Sequence, residues 1–227
     1  MKNQPISALI FDFDGLILDT EGPIYQSWQE TYAQHGLVLP LELWVTIIGT
    51  YDEPFDPWTY MQELAGKPLD GEAILPKRLE RELELIYQNP IRPGVETYLS
   101  EAPRLGLKIG LASSSTCKWV KGHLQRLGLL AHFDCIRCKD DVQFTKPNPE
   151  LYLAAAECLG VQAQACIALE DSPNGVTAAK AAGMFCVAAP NPLTHDLSLG
   201  HADLRLAELA DLPLERLLEL AASRKVA

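Results

Sequence analysis

The sequence predicts an α/β fold: a parallel sheet with helices between its strands, interrupted after the first strand by a helical insert. Three observations carry this. From position 93 onward, short apolar segments rich in β-formers alternate with helical segments of about ten residues, the pattern of right-handed βαβ units. Between Glu21 and about Pro93 that alternation stops, and the pattern is mainly helical with turn signals. Polar side chains recur where the apolar segments end, and open α/β sheets place their chemistry at those ends.

The first strand lies in Ala8-Leu9-Ile10-Phe11-Asp12-Phe13-Asp14-Gly15. Its apolar half reads as a buried parallel strand. Alternation along a strand turns Asp12 and Asp14 the same way. At about 4 Å two such charges repel by roughly 4 kcal/mol at an effective dielectric near 20. A metal dication and a lysine are the evident counter-charges.

The insert follows. Its helices are expected over Pro23–Gln34, Leu41–Ile48, Trp58–Ala65 and Gly71–Tyr87, with Gly36, Gly49 and Gly66 as stops. Trp28, Trp44, Trp58 and Tyr60 read as the insert's own core. The alternation then resumes. A helix over Val95–Leu105 precedes a strand, Lys108–Ala112, which runs into Ser113-Ser114-Ser115. A helix over Lys118–Leu127 and a short strand, Cys135–Arg137, come next. Lys146-Pro147 leads into a helix over Glu150–Leu159, and the strand Cys166–Leu169 runs into Glu170-Asp171-Ser172. A helix over Gly175–Ala182, strands Phe185–Ala189 and Leu204–Leu206, and a helix over Leu214–Ala222 finish the chain. Residues 1–17 and 93–227 form the expected core, and 18–92 the helical insert.

The 227 residues are 48% hydrophobic and 22% charged, the profile of a soluble globular protein. A net charge of -11 repels phosphate backbones and anionic lipid, so neither nucleic acid nor a membrane is an expected partner. No apolar run reaches membrane-spanning length, and Asp12 and Asp14 interrupt the N-terminal stretch that could pass for a signal peptide. The six cysteines therefore read as reduced thiols of a cytoplasmic protein. Cys135 and Cys138 sit at i and i+3 around a strand, facing opposite ways, which argues against a zinc pair. A monomer is the default expectation.

Polar groups thus recur at four places along one sheet: Asp12 with Asp14, Ser113, Lys146, and Glu170 with Asp171. Each has a bland alternative as a cap or turn residue. Their recurrence points to phosphoryl transfer. Clustered carboxylates make a hard oxygen site suited to Mg²⁺. Ser113 and backbone N–H groups of Ser114 and Ser115 can meet phosphate at a helix N-terminus, and Lys146 adds a point charge. Asp12 is then the nucleophile, and Asp14 the acid and base for leaving group and water.

These residues, in this order and around this insert, resemble the motifs of the haloacid-dehalogenase-like hydrolase superfamily. The match is to the subgroup containing β-phosphoglucomutase and phosphoglycolate phosphatase. The resemblance implies a Rossmann-like core under a mobile helical cap. It implies Mg²⁺ held by Asp12, the backbone carbonyl of Asp14, and Asp171, with Glu170 beside it. Ser113 and Lys146 would grip phosphate, and Gly49, Thr50 and Tyr51 would face the site from the cap. Asp14 speaks against dehalogenation, whose leaving halide needs no proton. The absence of lysine from Gly22 to Pro57 speaks against phosphonate hydrolysis through a Schiff base. β-Phosphoglucomutases carry a histidine where Ile24 stands and an arginine on the loop where Asp52 stands. The expectation is a Mg²⁺-dependent phosphatase acting on a small phosphorylated metabolite, a sugar phosphate fitting best. A phosphosugar mutase remains an alternative. An aspartyl-phosphate signalling module is a third reading, against which the insert and the early position of Asp12 count.

Overall fold

The computed structural model describes residues 5–49 and 55–223. Six parallel strands form one sheet: β1 (Ala8–Phe11), β2 (Lys108–Ala112), β3 (Cys135–Arg137), β4 (Cys166–Glu170), β5 (Phe185–Ala188) and β6 (Leu204–Arg205). Their order is β3-β2-β1-β4-β5-β6. Alternation along β1 divides the core. Leu9 and Phe11 join one buried cluster with Ile109, Leu111, Ile167 and Leu169, while Ala8 and Ile10 join another with Ala168 and Cys186. Helices α5 (Val95–Arg104), α6 (Cys117–Arg126) and α9 (Leu214–Ala222) cover the first face. Helices α7 (Glu150–Leu159) and α8 (Pro173–Ala181) cover the second.

Strand order fixes where chemistry can collect. The chain builds outward from β1 through β2 to β3, then returns to β1's other side with β4. The reversal leaves a crevice beyond the carboxyl ends of β1 and β4. Asp12 leaves β1 there, and Glu170 and Asp171 leave β4 there. The rigid pairing of Phe11 with Leu169 brings them together across 158 sequence positions.

The insert contains α1 (Glu21–Gln34), α2 (Leu41–Trp44), α3 (Pro57–Ala65) and α4 (Gly71–Gln88). Asp56 and Asp70 cap α3 and α4 by accepting the Thr59 and Ala73 N–H groups at 2.7 and 3.1 Å. Tyr25, Trp28, Tyr32, Trp44 and Met61 form its buried centre, with Trp58 and Tyr60 packed against it. The helix expected to continue to Ile48 ends at Trp44 and gives way to turns. Val45, Thr46, Ile47 and Ile48 are β-branched, which weakens a short helix. The two connections to the sheet run side by side, with Leu18 bridging Ile91 and the Arg92 N–H donating to the Ile17 carbonyl at 2.9 Å.

One expectation fails. Cys135 and Cys158 form a disulfide, so the six cysteines are not all free. Cys135 lies on the face of β3 that α7 covers, and Cys158 is near the end of α7. Their Cα atoms are 6.2 Å apart, within bridging range. The compartment inferred from reduced thiols loses that support. The face assignment behind it holds, because Cys138 packs into the opposite cluster from Cys135. Among the described residues, no helix is long and apolar enough to cross a membrane.

Candidate active site

Carboxylate oxygens of Asp12, Glu170 and Asp171 lie within 4.8 Å of one another, all three residues buried. Three buried acids demand counter-charge. Lys146, itself buried, donates from Nζ to Asp12 Oδ1 and to Glu170 Oε1, the latter at 2.6 Å. Burial pushes the Asp12 carboxyl up to about 8, Lys146 pulling it down and Glu170 adding to the rise. Burial disfavours the Lys146 ammonium, but the charges of Asp12 and Glu170 outweigh it and hold Lys146 above the ordinary lysine range. Asp171 is raised well above the carboxylate range, by burial first and then by Asp12 and Glu170.

Glu170 is saturated by protein donors. Its Oε1 also accepts from the Tyr152 hydroxyl at 2.6 Å, and its Oε2 from the Asp171 N–H at 3.0 Å. Gly175 is required beside it, since an added Cβ would meet the Glu170 carboxylate at 1.9 Å. Asp171 differs. Its Oδ2 accepts from Asn191 Nδ2 at 2.7 Å, but its buried Oδ1 has no partner among the described residues. A buried carboxylate oxygen beside Asp12, lacking a donor, is the feature a hard cation would satisfy. The donor set therefore fits Mg²⁺ through Asp12 and Asp171. Gly15 permits this approach: at its φ of 80° an added Cβ would sit 2.1 Å from Asp171 Oδ2.

The Asp14 carboxylate lies outside that cluster. Its Oδ1 accepts from Thr20 Oγ1 at 2.8 Å and Trp119 Nε1 at 2.9 Å, and its Oδ2 from Ser115 Oγ at 2.7 Å and Ser113 Oγ at 3.4 Å. Two N–H groups at the expected phosphate site, that of Ser113 and the Ser115 N–H that the sequence offered to phosphate, are engaged internally. Ser113 N–H donates to the Arg137 carbonyl, and Ser115 N–H to Ser113 Oγ, both at 3.0 Å. Ser114 Oγ reaches across to the insert and donates to the Gly49 carbonyl at 3.2 Å. Asn174 Nδ2 likewise donates to the Ile48 carbonyl at 3.0 Å. Thr50, Tyr51 and Asp52 lie outside the described residues.

A cavity of about 300 Å³ opens between Asp14 and the insert. Glu21, Trp28, Arg78 and Glu82 line its insert side, with Ser115 and Trp119 on the core side. Burial pushes Glu21 up to about 8, with Asp14 and Asp12 adding to the rise. Arg78 pairs with Glu82, donates to Ser27 Oγ at 3.0 Å and lies 4.5 Å over the Trp28 ring. Its buried Nε has no partner among the described residues. Sequence reasoning missed Thr20, Glu21, Arg78, Trp119, Tyr152 and Asn191, which belong to no motif and become visible only through contact.

Residues 6–183 match the sequence model of a family described as haloacid dehalogenase-like hydrolase. The chain belongs to that family. YhcW of Bacillus subtilis (strain 168), provisionally named a phosphatase, is 51% identical over 214 residues, covering 94% of this chain and 97% of that protein. Hexitol phosphatase B of Escherichia coli (strain K12) is 32% identical over 219 residues, covering 95% and 98%. Among solved structures, a β-phosphoglucomutase from Clostridium difficile superposes with a TM-score of 0.75 at 29% identity, covering 95% of this chain and 97% of that one. With these relatives this hydrolase is an enzyme of phosphoric monoester hydrolysis, and the Rossmann-like core is the family's fold.

Proposed function

We propose that this hydrolase is a Mg²⁺-dependent phosphatase for a small polyol or sugar monophosphate, acting through a phosphoryl group carried on Asp12. The observation that carries the reading is the pairing of Asp12 with Lys146 and Asp171 at one point, with Asp14 turned from them into the cavity. Asp12 attacks phosphorus while Lys146 balances its charge. Asp14 gives its proton to the departing alcohol, then takes one from the water that opens the aspartyl-phosphate. Trp119 donates in either state and holds the Asp14 carboxylate in place, whereas the hydroxyls of Thr20 and Ser115 can turn to donate or accept. Asp12 and Asp171, with the backbone carbonyl of Asp14, would hold Mg²⁺, and Glu170 would anchor Lys146. When bound, the cation neutralises the buried carboxylates and the phosphoryl oxygens.

Residues 18–92 act in this reading as a cap, with Gly49 contacting the phosphate side of the site and closure excluding water. Substrate class follows from the cavity wall. Glu21, Arg78 and Glu82 are mixed donors and acceptors beside Trp28, a lining suited to hydroxyls on a ring or chain. The Arg78 charge is paired with Glu82 and the raised Glu21 carboxyl adds no cation, so this wall offers no net positive charge to a second phosphate. The hexitol phosphatase relative supports the same class.

A screen of phosphorylated polyols and sugars with Mg²⁺ tests this, phosphate release being measured. Hydrolysis of hexitol or hexose monophosphates is expected; turnover confined to phosphates without hydroxyls would refute the assignment. The likeness to a β-phosphoglucomutase favours a second reading. Conversion of β-glucose 1-phosphate to the 6-phosphate without phosphate release would establish it instead.

A further inference from the structure

A second group of metal-ligating side chains converges away from the carboxylate cluster. Cys117 opens α6, Cys138 follows β3, and Asp141 closes the short turn Lys139–Asp141. One ligand atom from each lies within 4.8 Å of the other two. Cys117 Sγ donates to Asp141 Oδ2 at 3.4 Å, and the Cys138 N–H donates to the same oxygen at 2.9 Å. Cys138 is buried, Cys117 half-buried and Asp141 exposed, so the group opens to solvent on one side. Neither thiol serves the hydrolytic site, and neither joins the disulfide.

We propose that Cys117, Cys138 and Asp141 form a seat for a thiophilic dication of the zinc class. Two sulfurs and a carboxylate oxygen supply three ligands of a tetrahedral site, and the open side leaves a fourth position to water. Sulfur donors separate this seat from the oxygen-lined cluster at Asp12 and Asp171, which suits magnesium. Burial pushes both thiols up, so an entering ion displaces their protons to solvent. The bound ion would tie the first turn of α6 to the segment after β3. That segment already meets the active site, because the Lys139 N–H donates to the Ser115 carbonyl at 3.0 Å. Ser115 and Trp119 both hold Asp14, so the seat braces the residues that position the acid and base.

Co²⁺ is the probe, titrated into protein purified anaerobically, with Zn²⁺ as competitor. One equivalent should give a thiolate-to-cobalt charge-transfer band that Zn²⁺ abolishes. The band should disappear in Cys117→Ser and Cys138→Ser and persist in Cys166→Ser and Cys186→Ser. Zn²⁺ should raise the unfolding temperature of the parent but not of Cys117→Ser. Cys117 is half-buried, so its variant carries the test if Cys138→Ser fails to fold. No band in the parent, a band surviving in Cys117→Ser, or a Cys117–Cys138 disulfide in the anaerobic protein would overturn the seat.

Discussion

The rim of the sheet and the wall of the insert lie on either side of Asp14, yet they are built by opposite rules. At the rim, Asp12, Lys146 and Glu170 are buried and bound to one another, and two of them leave adjacent, paired strands. On the wall, Glu21, Arg78 and Glu82 stand on helices of the insert, and Arg78 keeps a buried N–H without a partner among the described residues. At the rim, Lys146 bonds two carboxylates and Glu170 accepts at both of its oxygens, all of them buried, so its chemistry is fixed. The wall is held by long side chains on the insert's helices, Arg78 lying over Trp28, so its selectivity can change without disturbing the sheet.

Variants can break this contrast. The largest effect is expected at the rim: Asp12→Asn should lower the rate of phosphate release by about 10³-fold or more, as loss of a nucleophile does. Lys146→Met should leave Asp12 and Glu170 without their cation and cost about 3–5 kcal/mol in urea denaturation without divalent ions. On the wall, Arg78→Met should raise KM for a polyol phosphate by about tenfold while sparing an aryl phosphate that lacks hydroxyls. Equal losses on both substrates would move Arg78 into the chemical step and erase the distinction.

Glu21 gives the smallest effect and the one with a pH signature. Its raised carboxyl keeps its proton up to about pH 8, whereas the unfolded chain releases it near 4.5. Between those values the folded protein holds the extra proton, so this group's contribution to stability falls as pH rises. Above about 8 its charge faces the substrate phosphate, and KM should climb. Glu21→Gln should flatten that climb in a pH profile of KM; an unchanged profile would assign it elsewhere.

The sheet was legible because its strands are short apolar runs with polar ends. Lys108–Ala112 and Cys135–Arg137 fall where their residues place them, and β4 extends one residue further to include Glu170. The approach of Asp12, Glu170 and Asp171 followed from the same pattern, since parallel strands share one carboxyl end, whereas Lys146 reaches them from the loop between β3 and α7. Other features depend on register and packing. The Cys135–Cys158 bridge requires knowing that α7 lies over β3, which spacing alone does not disclose. Trp119 reads as an ordinary helical aromatic until α6 swings its indole N–H onto Asp14. Arg78 and Glu82 read as an i,i+4 pair on a solvated helix, and only the packing of α4 against α1 turns them toward the cavity.

The most direct test is to locate the phosphoryl group during turnover. Rapid acid quench of the enzyme with Mg²⁺ and substrate, followed by peptide mass spectrometry, should find phosphate on the peptide holding Asp12, and none in Asp12→Asn. Phosphate trapped on a different side chain, or full turnover in Asp12→Asn, would contradict a nucleophile at the end of β1.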